Sequence, residues 1–241
     1  MKLDKPLHLV ELEAVGSTND HAKSLAKNGY PHGTIVRARA QTAGKGRHGN
    51  TWVSFDGNLY MSLVLRPDMN AALTGQLSFL AAVSLAEVLG EILPKENKID
   101  LKWPNDVLLN GKKVAGILLE TETNGVRPVN WVVIGLGLNV VGAPEGAVCL
   151  KHLGVETTAD DMLEKIANRM VALYGIWKAK GFAPIQQSWM QFACRLGETI
   201  NVRMSQETLS GKFLGIDSSG ALLLEMEDGS KKQIASGEVY L

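Results

Sequence analysis

Gly44-Lys45-Gly46-Arg47-His48-Gly49, running directly into Asn50-Thr51-Trp52, combines three glycines with three cationic or titratable side chains. Glycine accepts positive φ and lets backbone N–H groups approach a ligand closely, so this composition suits a mobile loop that closes over an anion. Like charges hold such a loop open in water, and a phosphate or carboxylate would order it. A basic surface turn is the plainer reading. The flanks set its context: Thr34 to Ala40 and Leu59 to Leu65 are apolar runs of strand length, so the loop is expected to be held by sheet at both ends.

Working outward, a helix is expected from Ser17 or Thr18, whose hydroxyls can cap free N–H groups, to Gly29, with Ala22, Leu25 and Ala26 as its apolar stripe. Thr74 to Leu93 reads as a second helix stopped by Pro94. Val107 to Leu109 and Val114 to Leu119 flank Asn110-Gly111, the pair best suited to the two positive-φ positions of a type I′ hairpin. Trp131 to Ile134 is a buried strand. Asp160 to Lys180 is a long helix capped by Thr158 or Asp160, and a shorter helix follows Pro184. From Gly197 the pattern changes to short strands at Thr199 to Met204, Leu209 to Ile216, Ala221 to Met226 and Lys232 to Ile234, which points to a small appended barrel.

The chain has 241 residues, with 25 Lys plus Arg against 25 Asp plus Glu. Net charge is therefore zero, and no general attraction to nucleic acid or anionic membrane is implied. Any cationic site must be local. No apolar run approaches the ~20 residues of a membrane span, the first ten residues lack a signal peptide's hydrophobic stretch, and the two cysteines, Cys149 and Cys194, suit a reducing compartment. A cytoplasmic protein is expected.

Several familiar motifs fail. The Gly-Lys pair lacks both the first glycine of a P-loop and the Ser or Thr after the lysine. Gly135-Leu136-Gly137 follows a strand, but the third glycine of a dinucleotide fingerprint would fall on Val140. The five histidines have no metal-ligand spacing, no metal site is expected, and no G-x-S-x-G elbow is present.

Four segments are far more specific together: Ser17-Thr18-Asn19, Gln41 to Trp52, Lys102-Trp103-Pro104-Asn105-Asp106, and Lys113-Val114-Ala115-Gly116-Ile117-Leu118. In this order, with Gly135-Leu136-Gly137-Leu138-Asn139, the chain resembles biotin protein ligases over essentially its whole length. The resemblance implies an α+β fold: a mixed sheet flanked by helices, similar to class II synthetases, over residues 1–194, then an SH3-like barrel over 195–241. It implies activation of biotin with MgATP to biotinoyl-AMP, release of pyrophosphate, and transfer to one lysine of a biotin carboxyl carrier domain. No tightly bound cofactor is implied, and a homodimer paired through the catalytic sheet is one expectation.

On the same resemblance, Ser17, Thr18, Asn19 and Gln41 would bind the fused rings of biotin, together with Gly44, Lys45, Gly46 and Gly116. Arg47 and Lys113 would hold biotin and nucleotide alike and serve catalysis. Trp52 would pack on adenine, with Asn105 and Asn139 on the nucleotide, although a core tryptophan and a solvated turn lysine are the simpler readings of Trp52 and Lys113. Asp106 is the candidate to orient the incoming lysine or help remove its proton, since an amine attacks only when neutral. Lys45 and His48 stand where many members have arginine, replacing a bidentate grip with a point charge or a titratable ring. Sixteen residues precede Ser17, which leaves no room for the DNA-binding module of bifunctional members, so a monofunctional enzyme without a nucleic-acid partner is expected. The rivals are a lipoate-attaching enzyme and a biotin-responsive regulator without turnover.

Overall fold

Seven strands lie in the order β1-β2-β3-β7-β6-β5-β4. They are β1 (His8–Val15), β2 (Thr34–Gln41), β3 (Leu59–Leu65), β4 (Ile99–Lys102), β5 (Asp106–Leu109), β6 (Lys112–Glu122) and β7 (Trp131–Leu138). This is a computed structural model, and it describes residues 1–122 and 129–240. β1 pairs with β2 in parallel, and the other neighbours are antiparallel, so the sheet is mixed as expected. The edge strands β1 and β4 were absent from the sequence reading. β1 alternates charged and apolar residues with only partial burial, and β4 has four residues, too short for a period to show.

Helices cover both faces. α1 (Thr18–Lys27) sets Ala22 and Ala26 against Val36, Val64 and Val133 on one face. α2 (Gln76–Ile92), α3 (Ala159–Lys180) and α4 (Ala183–Gln191) build the main core on the other. α2 is apolar nearly all round because sheet and helices enclose it: Leu77, Leu80, Leu85 and Leu89 are each at most 1% exposed. The stretch Ala71–Ile92 is in fact long and apolar enough to cross a membrane, with a mean hydropathy of 1.5, contrary to the sequence reading. Most of it is buried inside the protein, as befits a core helix. Thr158 closes a reciprocal capping box with Asp161 at the start of α3. The Asn110-Gly111 turn has φ of 52° and 78°, as the hairpin reading requires.

The C-terminal strands are β8 (Thr199–Arg203), β9 (Thr208–Ile216), β10 (Leu222–Glu225), β11 (Lys231–Ile234) and β12 (Glu238–Tyr240). They form a five-stranded antiparallel sheet in the order β11-β10-β9-β8-β12, and among the described residues its two end strands do not pair with each other. Only β12 went unread, since three residues carry no pattern. This sheet is fixed to α2, α4 and the turn between β4 and β5. Phe213 and Trp189 meet at 6.5 Å and Trp189 and Phe79 at 5.4 Å, both edge to face. Gln76, Trp103 and Gln186 donate to the carbonyls of Ser218, Gly220 and Ile216. Both cysteines are free; Cys149 is buried and Cys194 partly so.

Candidate active site

On the face of the large sheet that carries α1, three glycines keep the surface low. Gly116 and Gly137 are cross-strand partners on β6 and β7, and Gly135 lies two residues back along β7. A Cβ on Gly135 would stand 2.1 Å from Asn19 Oδ1, and one on Gly137 would stand 2.5 Å from the Trp52 ring. Gly135 and Gly137, which resemble the start of a dinucleotide fingerprint, instead let Asn19 and Trp52 lie directly on the sheet. Gly137→Ala is expected to lift the Trp52 ring and lower unfolding free energy by ~1–3 kcal/mol in urea titration. An unchanged midpoint would show the ring to be loosely held.

Over Gly135 sits a polar cluster. Gln41 Oε1 accepts from the Thr18 amide at 2.8 Å and its hydroxyl at 3.1 Å. The Ser62 hydroxyl lies 2.6 Å from Asn19 Oδ1 and 2.8 Å from Thr18 Oγ1; with one proton it donates to one of them at a time. Asn19 Nδ2 donates to Glu120 at 2.9 Å. Ser17 occupies the N-cap position of α1 but makes no capping bond. That corrects the capping expectation for both hydroxyls, since Thr18 spends its own on Gln41.

Next to it is a cationic cluster created by a register shift. Asp106 pairs with Gly116 and Val107 with Ala115, yet Leu108 pairs with Lys113, so Val114 is an extra, bulged residue. One inserted residue reverses side-chain alternation, which brings Lys113 to the face of Gly116 instead of the opposite one. Lys113 Nζ then reaches Asp106 at 2.6 Å and stands 5.5 Å above the Trp52 ring centroid. Asp106 also takes Lys102 at 3.2 Å. Lys102 and Asp106 end and begin the paired strands β4 and β5, so the Trp103-Pro104-Asn105 turn, with a cis Trp103–Pro104 bond, sets both.

Arg47 completes the cluster from the loop. Its guanidinium donates to Asn105 Oδ1 at 3.4 Å and to the Gly237 carbonyl of the C-terminal segment at 3.3 Å. Burial pushes its pKa down from the usual value, opposed by the charges of Asp106 and Glu238. It remains a cation at any working pH. Asn105 is itself held by β6, donating to the Ile117 carbonyl at 2.7 Å.

The loop has a defined backbone conformation. Lys45 and Thr51 form an antiparallel bridge, Arg47–Gly49 makes one 3₁₀ turn, and His48 and Gly49 take positive φ. Lys45 pairs with Asp20 at 2.6 Å. One cavity is lined by Ser17, Thr18, Asn19, Gln41, Lys45, Gly46, Arg47, Trp52, Asn105, Asp106, Lys113 and Gly116, all expected from sequence.

Two expected residues lie elsewhere. Gly44 is not on the cavity wall; its carbonyl accepts from the Trp52 amide, and a Cβ would meet the Trp52 carbonyl at 2.6 Å. Asn139 is 2% exposed and donates to the Val148 carbonyl at 3.2 Å, securing the segment after β7. Asn58 shares this work, accepting from the amides of Val140, Val141 and Gly142. Sequence reasoning missed Lys102, which stood inside a quoted motif, and Glu238, which lines the cavity from β12 and had no local signal. Among the described residues no cluster of metal-ligating side chains occurs.

Residues 12–139 match the model of the biotin/lipoate A/B protein ligase family, and residues 196–241 match the biotin protein ligase C-terminal domain. The chain is 41% identical to the biotin--[acetyl-CoA-carboxylase] ligase of Paracoccus denitrificans over 95% of its length and 98% of that protein. It is 38% identical to the bifunctional ligase/repressor BirA of Bacillus subtilis, over 97% of its length and 74% of that protein. Its structure superposes on the biotin protein ligase of Aquifex aeolicus in complex with biotin and ATP with a TM-score of 0.82 and 31% identity, covering 97% of both chains.

Proposed function

The chain belongs to the biotin/lipoate A/B protein ligase family, and on that premise we propose that it is an ATP-dependent biotin protein ligase. It joins biotin to MgATP as biotinoyl-AMP, with pyrophosphate leaving, and passes the biotinoyl group to a lysine of a carboxylase carrier domain. The observation that carries this reading is one cavity in which a neutral polar cluster adjoins a cationic one, in a chain 41% identical to a biotin ligase along almost all of both sequences.

The ureido group of biotin offers two donors and an acceptor, and Thr18, Asn19, Gln41 and Ser17 supply matching oxygens and amides. The biotin carboxylate must meet the α-phosphate, two anions that repel. Arg47 and Lys113 oppose that repulsion, each contact giving up to ~4 kcal/mol at 4 Å and an effective dielectric near 20, before desolvation. The carboxylate displaces Asp106 from Lys113, and Lys102 keeps Asp106 compensated meanwhile. Trp52, flat on Gly116 and Gly137, offers an aromatic face to adenine, while Asn105 orients Arg47 against the phosphate. Asn139 contributes by holding the segment beside Lys113, whose carbonyl accepts from the Val148 amide. Magnesium enters with ATP as part of that substrate.

In the second step the acceptor amine attacks the acyl carbonyl, the tetrahedral centre collapses, AMP leaves and the amine's proton is lost. Asp106, bracketed by two lysines, is placed to orient the ammonium and take that proton. Asp106→Asn is expected to slow single-turnover transfer from preformed biotinoyl-AMP by roughly 100-fold, with less than threefold change in biotin affinity. Equal losses in both would remove Asp106 from the transfer step.

The finer organisation follows the same reading. Residues 1–194 form the catalytic domain, and 195–241 form an SH3-like domain, supported by five short antiparallel strands and the separate family match. The open edge of β1 supports pairing of two copies through the catalytic sheet, and two free thiols support a cytoplasmic setting. The test uses MgATP, labelled biotin or labelled lipoate, and an apo carrier domain. Label from biotin on the carrier is expected; label from lipoate, or from neither, would overturn the assignment.

A further inference from the structure

We propose that Asp20 is a positioning residue that latches the Gly44–Gly49 loop closed through Lys45; this rests on the ligase reading above. Lys45 was expected to grip ligand, but its Nζ is committed to Asp20 Oδ2 at 2.6 Å. Asp20 is not on the cavity wall. It belongs to the first turn of α1, where a carboxylate is favoured by the helix dipole, and its other oxygen takes Lys23 at 2.8 Å. Lys23 in turn pairs with Glu120 of β6 at 2.6 Å, and Glu120 accepts from Asn19 at 2.9 Å.

Charges therefore alternate from the loop to the sheet as Lys45, Asp20, Lys23 and Glu120. Every member except Lys45 stands on a helix or strand, so Asp20 is already immobilised before Lys45 arrives, and pairing costs the entropy of one side chain only. The two lysines also hold the Asp20 carboxyl below its ordinary range, against the effect of burial. Within the loop, the Lys45–Thr51 bridge makes the backbone move as a unit. Holding Lys45 thus holds Arg47, two residues on, over Asn105 and Gly237. Lysine suits this role, because it is a point charge matched to a single carboxylate oxygen. The pair is half exposed, at 47% and 44%, so it is weak enough to break each time substrates enter.

The experiment follows escape of biotinoyl-AMP from the full-length enzyme without carrier, by its hydrolysis and by labelling of a bystander amine. Asp20→Asn is expected to speed escape roughly two- to fivefold, the range for one exposed ion pair. Asp20→Glu should restore retention, Lys45→Met should match Asp20→Asn, and the double variant should be no worse than either. Salt at about 0.5 M should bring wild type to the level of the variants. The latch is overturned if Asp20→Asn retains adenylate like wild type, or if the two substitutions add, which would place Lys45 on the ligand. Wild-type protein that makes no biotinoyl-AMP at all would sink the ligase reading instead.

Discussion

Arg47→Gly is expected to release biotinoyl-AMP at least 100-fold faster than wild type while leaving the fold intact. Among the described residues the Arg47 side chain makes two hydrogen bonds, both long, to Asn105 Oδ1 and the Gly237 carbonyl, and it stands on a loop outside the hydrophobic core. Thermal unfolding should move little. What disappears is a partly buried cation aimed at the place where phosphate and acyl oxygen lie. Loss of one such preorganised donor costs ~2.7–4 kcal/mol in comparable sites, or a factor of ~10²–10³. The enlarged glycine loop also closes less tightly, and water reaches the mixed anhydride. The measurement is release of labelled adenylate in a rapid filtration assay, with indiscriminate labelling of added lysines as a second readout. Adenylate held as firmly as by wild type would refute the lid role of Arg47.

Lys113→Met should abolish the first step, lowering biotin-dependent exchange of pyrophosphate into ATP by ~10²–10³. Methionine keeps most of the apolar stem and removes the ammonium, so the loss reports the charge, including its place over the Trp52 ring. A second effect follows from Asp106, which would keep Lys102 alone as its cation. Asp106→Asn added to Lys113→Met should then recover stability without recovering exchange. Lys113→Arg is not expected to rescue, because the larger planar group must enter the space above Gly116, where the lysine is already so close that a Cβ on that glycine would meet its Nζ at 3.3 Å. Exchange within tenfold of wild type would show that Arg47 suffices for adenylation.

The main elements were legible because each carried a local signal. The apolar periodicity of α2, the Asn110-Gly111 turn and the Thr158 cap are decided within a few residues of chain. The four motifs likewise named most of the cavity wall in advance. Gly44 and Asn139 lie off the cavity wall, and a motif marks residues that matter without saying whether they face the cavity or hold neighbours. Gly44 allows the backbone of Trp52 to pass close by, and Asn139 ties down the segment after β7.

By itself the sequence determined the main strands and helices, the appended strands, and the chemistry of the loop: glycine-rich backbone, local positive charge and no metal-ligand pattern. Those properties depend on residue type and short spacing. Only the tertiary structure decided where the charges act. The bulge at Val114 turns Lys113 to the cavity face, Asp20 captures Lys45, and Gly237 and Glu238 reach the site from β12 and the residue before it. The physical reason is that an ion pair or a register shift depends on two strands or helices meeting, at separations of up to 190 residues between Arg47 and Gly237. No pattern within one segment records its partner.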